Sequence, residues 1–170
     1  MRLVPYAAEH VAATQAWLDD PDIKANTPIP DPVPADHAAG WLTRFGEDPE
    51  KEAWAVLDDN DQVIAFACAP VVSRDREEAE LGYSVAAHAR GQGVATWVLK
   101  ELTAWALGWG AQRIELHISA GNVASRMVAE RNGYLLEGIL RQSYLKPGQR
   151  VDTAVYALLA ADPDGLEAGT

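Results

Sequence analysis

The sequence is short of cysteine, of basic residues and of long apolar runs. Its single cysteine, Cys68, cannot form an intramolecular disulfide, so nothing in the chain requires an oxidising compartment. Lysine and arginine number 14 against 25 aspartates and glutamates, and the net charge of −11 argues against nucleic-acid or anionic-membrane partners. No apolar run approaches the ~20 residues that cross a membrane, and the N-terminus lacks the order of a signal peptide. We therefore expect a cytoplasmic protein with no nucleic-acid or membrane partner.

The length and the ordinary composition predict one α/β domain over residues 1–160 and a polar C-terminal tail over 161–170. Strands are predicted over 2–6, 53–57, 63–72, 79–85, 113–119, 134–140 and 151–159, and helices over 8–18, 36–46, 94–109 and 123–128. Early strands joined as a hairpin and later strands separated by helices indicate a mixed sheet. The segment 21–34 is rich in proline and aspartate, which predicts an irregular connection.

The most informative segment is Arg90-Gly91-Gln92-Gly93-Val94-Ala95, which joins a predicted strand to a predicted helix. Its two glycines let backbone N–H groups approach a ligand without obstruction by a Cβ atom. The helix that follows begins with unpaired N–H groups and the positive end of its dipole, so the turn suits a phosphate or pyrophosphate. Arg90 adds a guanidinium that can grip phosphate oxygens. The local chemistry predicts a phosphate-bearing ligand.

Two common nucleotide-binding motifs fit this turn poorly. The dinucleotide fingerprint needs glycine or alanine where the chain has Thr96, and it opens a fold, whereas this turn follows a hairpin in mid-chain. A P-loop needs Gly-Lys-Ser/Thr at the helix start, where the chain has Gly93-Val94-Ala95. The phosphate therefore belongs to another class of ligand.

The turn resembles the R/Q-x-x-G-x-G/A motif of the GNAT superfamily of acyl-CoA N-acyltransferases. Other segments are similar, in the same order, to the ribosomal-protein-alanine acetyltransferase (RimJ/RimL) branch. They are Trp17-Leu18-Asp19-Asp20-Pro21, Glu80-Leu81-Gly82-Tyr83, Asn122-x-x-Ser125, Arg131-Asn132-Gly133-Tyr134, Glu137-Gly138-x-Leu140-Arg141 and residues 152–159. The resemblance implies the GNAT fold: a central, mostly antiparallel sheet with a splayed parallel pair, flanked by helices. It also implies acetyl-CoA as co-substrate.

The resemblance assigns a set of cofactor-binding residues. Backbone amides of the turn, together with Arg90, would hold the pyrophosphate, and the strand end before the turn would run alongside the pantetheine arm. The N–H of Val85 would polarise the thioester carbonyl. Asn122 would contact the pantetheine arm, a role compatible with capping the helix that follows it. The cofactor-binding set is Tyr83, Val85, Arg90, Gly91, Gln92, Gly93, Val94, Ala95 and Asn122.

The implied reaction is direct attack of an amine on the thioester, and it needs a proton acceptor. An aliphatic amine is mostly ammonium at neutral pH and must lose a proton before it attacks. Glu80, on the strand nearest the cofactor, is the candidate base, acting through water; the alternative is a solvated surface acid. Glu115 and His117 share the polar face of the neighbouring strand, where an imidazole titrates in a useful range but could equally be a surface histidine.

The departing thiolate needs a proton donor. Many members of the superfamily use a tyrosine four residues before the glycine that ends this helix, where the chain has Ala129. Ser125 matches the serine of the RimJ/RimL branch and is the candidate catalytic donor; alternatively, it only serves the helix end. Tyr144 is a second hydroxyl candidate. The four histidines show no metal-ligand spacing, so no metal is expected.

The expected function is transfer of an acetyl group to a primary amine: a protein or peptide N-terminus, a polyamine or another small amine. The acidic balance favours a cationic acceptor. One alternative is a non-catalytic acyl-CoA-binding sensor or interaction module on the same fold, which Ala129 keeps open. Another is an acyltransferase that uses a longer acyl-CoA. A homodimer is implied by the family alone.

Overall fold

The computed structural model describes residues 1–146 and 148–162, and the predicted tail over 161–170 lies outside the described residues from 163 onward. The strands are β1 (Arg2–Pro5), β2 (Glu52–Leu57), β3 (Val63–Ser73), β4 (Glu78–Val85), β5 (Arg113–Ser119), β6 (Leu135–Lys146) and β7 (Gln149–Leu159). The helices are α1 (Ala8–Trp17), α2 (Pro21–Asn26), α3 (His37–Gly46), α4 (Val94–Gly108) and α5 (Val123–Arg131). Within this described part, no helix is long and apolar enough to cross a membrane.

The seven strands form one mixed sheet in the order β1-β2-β3-β4-β5-β7-β6. Every neighbouring pair is antiparallel except β4 and β5. These two parallel strands pair over three positions only, from Glu78 opposite Arg113 to Glu80 opposite Glu115. Beyond that point β4 continues to Val85 without pairing to β5, so the two strands splay apart. The predicted mixed sheet with a splayed parallel pair is confirmed.

Helices cover both faces of the sheet because each buried strand carries apolar side chains on both sides. Trp54 packs its ring edge against Trp105 of α4, 4.8 Å between centroids. Phe66 of β3 points to the opposite face of the sheet. There Trp41 of α3 stacks on it, with 4.0 Å between the ring centroids. The α4 face holds the main core, with Leu99, Leu102, Ile114, Leu116, Tyr134 and Tyr156 among its fully buried side chains. Helix α4, which follows the glycine turn, therefore packs on one face of the sheet, and α1 and α3 lie on the other.

The prediction of an irregular connection over 21–34 is wrong for its first part, which is helix α2. Asp20 caps this helix: its Oδ1 accepts hydrogen bonds from Asp22 N at 3.0 Å and Ile23 N at 3.1 Å. Pro21 stands in the first turn, where a missing N–H costs nothing. A cap, a proline and an acidic first turn outweighed the turn-forming composition of the segment.

Candidate functional site

A cavity of about 730 Å³ lies at the splay between β4 and β5. Asp22 and Thr27 of the α2 region line one side of it, and Asn122 and Ser125 at the start of α5 line another. The glycine turn forms its third wall. Because the strands separate here, the cavity connects the α4–α5 face of the sheet with the opposite face. Two ligands entering from opposite faces can meet within it.

The turn between β4 and α4 has the conformation of an anion cradle. Gly91 and Gly93 have φ angles of +74° and +80°, which L side chains rarely adopt. No atom lies within 4 Å of a Cβ added at either glycine, so the space in front of the turn is open. Trp97 N donates to Gly93 O at 3.0 Å, so the N–H groups of residues 94–96 precede the first helical hydrogen bond. These amides are free to bind phosphate oxygens.

Arg90, predicted to grip phosphate, has acidic partners on α2. Its NH2 group donates to Asp20 Oδ1 at 2.6 Å and its NH1 group to Asp22 Oδ2 at 2.9 Å, while Nε donates to Val85 O at 3.2 Å. Burial acts to raise the pKa of Asp20, but the Arg90 hydrogen bond and the backbone donors outweigh it and lower that pKa. The arginine therefore joins the start of α2 to the end of β4.

Two other predicted cofactor residues use their side chains in local hydrogen bonds. Asn122 lines the cavity and caps α5, because its Oδ1 accepts from Ser125 N at 3.1 Å. The side chain of Gln92 donates to His88 O at 2.9 Å, so its amide is used to hold the turn itself.

The end of β4 presents backbone groups to the splay. Ala86 N donates to Ile64 O at 2.9 Å, and Val85 stands opposite Ala65 of β3. Polar backbone groups alternate in direction along a strand, so the N–H groups of Tyr83 and Val85 point away from β3. They face the gap that β5 leaves open, which is where an extended ligand could add to the strand.

Two hydroxyl groups meet at the start of α5. Tyr83 Oη lies 2.8 Å from Ser125 Oγ, and both residues line the cavity. Burial raises the pKa of Tyr83 to about 12. Sequence reasoning treated Tyr83 through its backbone and missed this pairing, because the two residues lie 42 positions apart. Ala129, which replaces the superfamily tyrosine, is fully buried in the core.

An acidic cluster with one histidine occupies the opposite face of the splay. His117 lines the cavity; its Nδ1 lies 4.0 Å from Glu80 Oε2, and its Nε2 lies 2.9 Å from Glu115 Oε2. Arg113 holds the other oxygen of Glu115 through Nε at 2.7 Å and forms a two-bond fork with Glu137. Strand alternation placed Arg113, Glu115 and His117 on one face, but the approach of Glu80 depends on the register of β4 and β5.

The carboxylates of Glu80 and Glu115, which lie opposite each other on β4 and β5, differ in proton affinity. Burial raises the pKa of Glu80, the neighbouring charge of Glu115 adds to this, and His117 opposes it. Burial also acts to raise the pKa of Glu115, but hydrogen bonds from Arg113 and His117 outweigh it and lower that pKa. At equal pH, Glu80 is therefore the better proton acceptor of the two.

Tyr144 and Cys68 lie near Glu80 on this side of the sheet. Tyr144 lines the cavity and donates to Asn26 O at 3.3 Å, which ties β6 to α2. Burial raises the pKa of the half-buried Cys68 to about 12, with the charge of Glu80 adding to the effect. Cys68 is thus a thiol near neutral pH and lacks the thiolate character of a nucleophile. In residues 1–146 and 148–162, no three His, Cys, Asp or Glu side chains cluster as a metal site.

Comparison with known proteins identifies the family of the chain. Residues 1–135 match the family model described as the acetyltransferase (GNAT) domain. YdaF of Bacillus subtilis (strain 168), provisionally named a ribosomal N-acetyltransferase, is 33% identical over 89 residues; these cover 52% of this chain and 49% of YdaF. The chain thus spans about half the length of that relative. The L-amino acid N-acetyltransferase AaaT of Escherichia coli (strain K12) is 27% identical over 135 residues, 78% of this chain and 81% of AaaT.

Solved structures share the fold at lower identity. Spermidine N-acetyltransferase from Vibrio cholerae, in complex with CoA and spermine, superposes with a TM-score of 0.83 at 16% identity, covering 93% of this chain and 94% of that one. The ribosomal L7/L12 α-N-protein acetyltransferase RimL, in complex with coenzyme A, superposes with a TM-score of 0.81 at 21% identity, covering 92% of each chain.

Proposed function

The chain belongs to the acetyltransferase (GNAT) domain family, and on that premise we propose that it transfers an acetyl group from acetyl-CoA to a primary amine. The transfer is direct, by attack of the amine on the thioester within a ternary complex. The observation that carries the proposal is the cavity at the splay, which has the glycine turn on one side and His117 on the other, with Glu80 4.0 Å from the His117 ring. Donor and acceptor would meet where β4 and β5 separate.

The donor half of the site is made mainly of backbone groups. The open turn with Gly91 and Gly93, and the backbone amides over residues 92–95, would bind the pyrophosphate. The exposed strand groups of Tyr83 and Val85 would pair with the pantetheine arm, beside Asn122. The N–H of Val85 would stabilise the oxyanion as the thioester carbonyl is attacked. None of these contacts involves the acyl chain beyond its carbonyl, so a longer acyl-CoA is the alternative donor.

The acceptor half carries negative charge. Glu80, acting through one water, would take a proton from the acceptor ammonium, and its raised pKa suits that task. A cationic amine fits this side and the net charge of −11. The proposed acceptors are a peptide N-terminus, a polyamine or another small amine. Among the similar proteins, RimL is named for ribosomal L7/L12, the Vibrio cholerae enzyme holds spermine, and AaaT is named for L-amino acids.

Ser125 would protonate the departing CoA thiolate. Its hydrogen bond to Tyr83 supplies a second hydroxyl that can replenish the proton. The alternative of a non-catalytic acyl-CoA sensor was kept open by Ala129 in place of the superfamily tyrosine. A hydroxyl pair facing the cavity supports the enzyme instead, because a sensor has no use for a proton donor there.

Replacing Ser125 with alanine is expected to lower kcat about 30-fold. This is less than the 10²–10⁴ typical of general acid catalysis, because a thiolate leaves with little assistance. Tyr83→Phe, which leaves Ser125 without its partner hydroxyl, should show a smaller loss. Steady-state kinetics at saturating acetyl-CoA measure both, and CoA affinity should be unchanged. A wild-type kcat in Ser125→Ala would contradict the proton-donor role.

Removing the charge of Asp22 is expected to tighten CoA binding about threefold, because Arg90 then has one fewer competitor for its guanidinium. Asp19→Asn is the matched control: Asp19 and Asp22 are 78% and 80% exposed, but Asp19 pairs with Lys24. Calorimetric titration with CoA measures the affinity of each variant. If Asp22→Asn binds CoA no better than Asp19→Asn, Arg90 stays on α2 and the backbone alone holds the pyrophosphate.

The proposed function is tested by offering acetyl-CoA with a panel of amines: alkylamines, polyamines, amino acids and short peptides. We expect mass spectrometry to find the acetylated form of at least one class. Calorimetry should show binding of acetyl-CoA in preference to ATP or NAD. Binding of acetyl-CoA without any acetylated amine would favour the sensor.

A homodimer and a cytoplasmic location are also proposed. Support for the dimer comes from edge strand β6, which exposes Leu135, Leu136, Ile139 and Leu140. Sedimentation equilibrium checks the mass. The single thiol of Cys68 suits a reducing compartment, and fractionation of the source cells checks the location.

A further inference from the structure

We propose that His117 shares the protons of the acceptor amine with Glu80, and that Glu115 and Arg113 are positioning residues that set the tautomer of His117. The inference rests on the proposed function and deepens it, since it adds a second proton-accepting atom to the same site. Glu80 and Glu115 are the last paired positions of β4 and β5, and His117 is the next residue of β5 on that face. The cluster thus stands at the point where the two strands separate.

The hydrogen bonds around His117 determine which ring nitrogen carries a hydrogen. Arg113 only donates, and it holds Glu115 at Oε1. The remaining oxygen, Oε2, lies 2.9 Å from Nε2 of His117. Because a carboxylate only accepts, Nε2 must carry the hydrogen of this bond. The neutral ring therefore presents a lone pair at Nδ1, the atom that lies 4.0 Å from Glu80 Oε2.

The distance between Glu80 and His117 suits a shared water. A separation of 4.0 Å is too long for a hydrogen bond, and both atoms are acceptors, so one water can donate to each. With both of its hydrogens used, that water turns its oxygen lone pairs outward. His117 lines the cavity, so the lone pairs are open to the ammonium of an acceptor there.

Two acceptors match the two protons that an ammonium loses in becoming an amide. In the first step an ammonium N–H bond breaks, the water gains that proton, and one of its own hydrogens passes to Glu80. The amine nitrogen then bonds to the thioester carbon, and its second proton passes through the same water to Nδ1 of His117. As the C–S bond breaks, the sulfur takes the proton of Ser125. Glu80 and His117 return two protons to solvent and Ser125 regains one, so one proton is released per turnover.

The other polar groups around Glu80 and His117 are held in fixed protonation states. The neighbours of the pair are Glu115 and Arg113 of β5, Val155 of β7, Tyr144 of β6 and Cys68 of β3. Burial raises the pKa of Tyr144 and of Cys68 to about 12, with the charge of Glu80 as a further cause. Both stay protonated near neutral pH. Arg113 stays charged because its hydrogen bonds to Glu137, and then to Glu115, raise its pKa.

The test is Glu115→Gln, alone and combined with Arg113→Met, read by kcat and by the ¹⁵N chemical shifts of the His117 ring. In the single variant Arg113, which only donates, binds the oxygen of the new side-chain amide at position 115. The NH₂ group of that amide then faces Nε2 of His117, which must accept, so the ring hydrogen moves to Nδ1. We expect a loss in kcat of about tenfold or more, with CoA affinity unchanged. In the double variant the amide is free to turn its oxygen to Nε2, and most of the rate and the Nε2–H tautomer should return.

Controls separate proton transfer from structure. An acceptor already unprotonated at neutral pH, such as a hydrazide, loses one proton instead of two, and Glu80 alone can accept it. It should therefore react within about twofold of wild type in Glu115→Gln and His117→Gln. His88→Gln, which changes an exposed histidine, should keep full activity with every acceptor.

Three results would overturn the inference. The first is a wild-type kcat for His117→Gln with an alkylamine, and the second is a changed tautomer in Glu115→Gln with no change in rate. The third is a wild-type protein that acetylates no amine, and this one alone would overturn the proposed function as well.

Discussion

Glu80→Gln is expected to lower kcat with an alkylamine about 1,000-fold at neutral pH, within the range of general base catalysis. Glutamine keeps the shape of the side chain but cannot take a proton. An alkylammonium with a pKa near 10 is about one part in a thousand free amine at pH 7, so a missing base exposes that full deficit. Steady-state kinetics at saturating acetyl-CoA measure the loss.

The pH profile adds a direction to this expectation. Glu80 accepts a proton only when ionised, so the rate falls as pH drops through its pKa. Because burial raises that pKa, the acid limb should lie above the range of an ordinary glutamate. Glu80→Gln should lose this limb. Burial disfavours the charge of Glu80 in the fold, so the variant should not lower the free energy of unfolding at neutral pH.

Glu78→Gln is the matched control for Glu80→Gln. It lies two residues earlier on the same face of β4 and pairs with Arg76. Its activity should remain at the wild-type level. If both variants lose activity equally, the effect is one of strand packing or overall charge. If neither does, Glu80 is a surface acid and the proton leaves by another route.

Gly93→Val is expected to weaken CoA binding about 100-fold. Gly93 has φ +80°, and a β-branched residue there costs about 1–2 kcal/mol or forces the turn to relax. A relaxed turn no longer aims the amides of residues 92–95 at one point. Hydrogen bonds to a charged group contribute about 1.5–3 kcal/mol each, so losing one or two accounts for a 100-fold change. Calorimetric titration with CoA measures it.

The other end of the same helix offers a control. Gly110 has φ +100° with no atom within 4 Å of an added Cβ, so Gly110→Val introduces similar strain far from the cavity. Both variants should show lowered melting temperatures, and only Gly93→Val should lose CoA affinity. Equal affinity of Gly93→Val and wild type would mean that the pyrophosphate is held elsewhere.

Much of the fold could be predicted because local patterns agree with tertiary packing. The alternation over Arg113–Ser119 and the apolar spacing over Val94–Gly108 each match the element that forms. Helix α2 was missed because its residues are those of turns. The hydrogen bonds that Asp20 accepts from the next backbone amides, together with Pro21 in the first turn, favour a helix here.

The site was predictable to the extent that it depends on backbone conformation. The two glycines of the turn indicate a tight backbone conformation, and this conformation predicts a phosphate-bearing ligand. The pairing of Tyr83 with Ser125 and of Arg90 with Asp20 joins residues far apart in sequence, and no local pattern encodes it. His117 was one of several candidates because strand alternation gives the face of a side chain and not its neighbours.

The measurement that tests acetyl transfer most directly is the stoichiometry of the reaction. The protein is incubated with acetyl-CoA, with and without the best amine of the panel, and free CoA thiol and acetylated amine are counted together. We expect one thiol for each acetylated amine, and no thiol beyond the uncatalysed rate when the amine is absent. Thiol release that does not depend on the amine, or none with any amine, would contradict direct transfer at the splay.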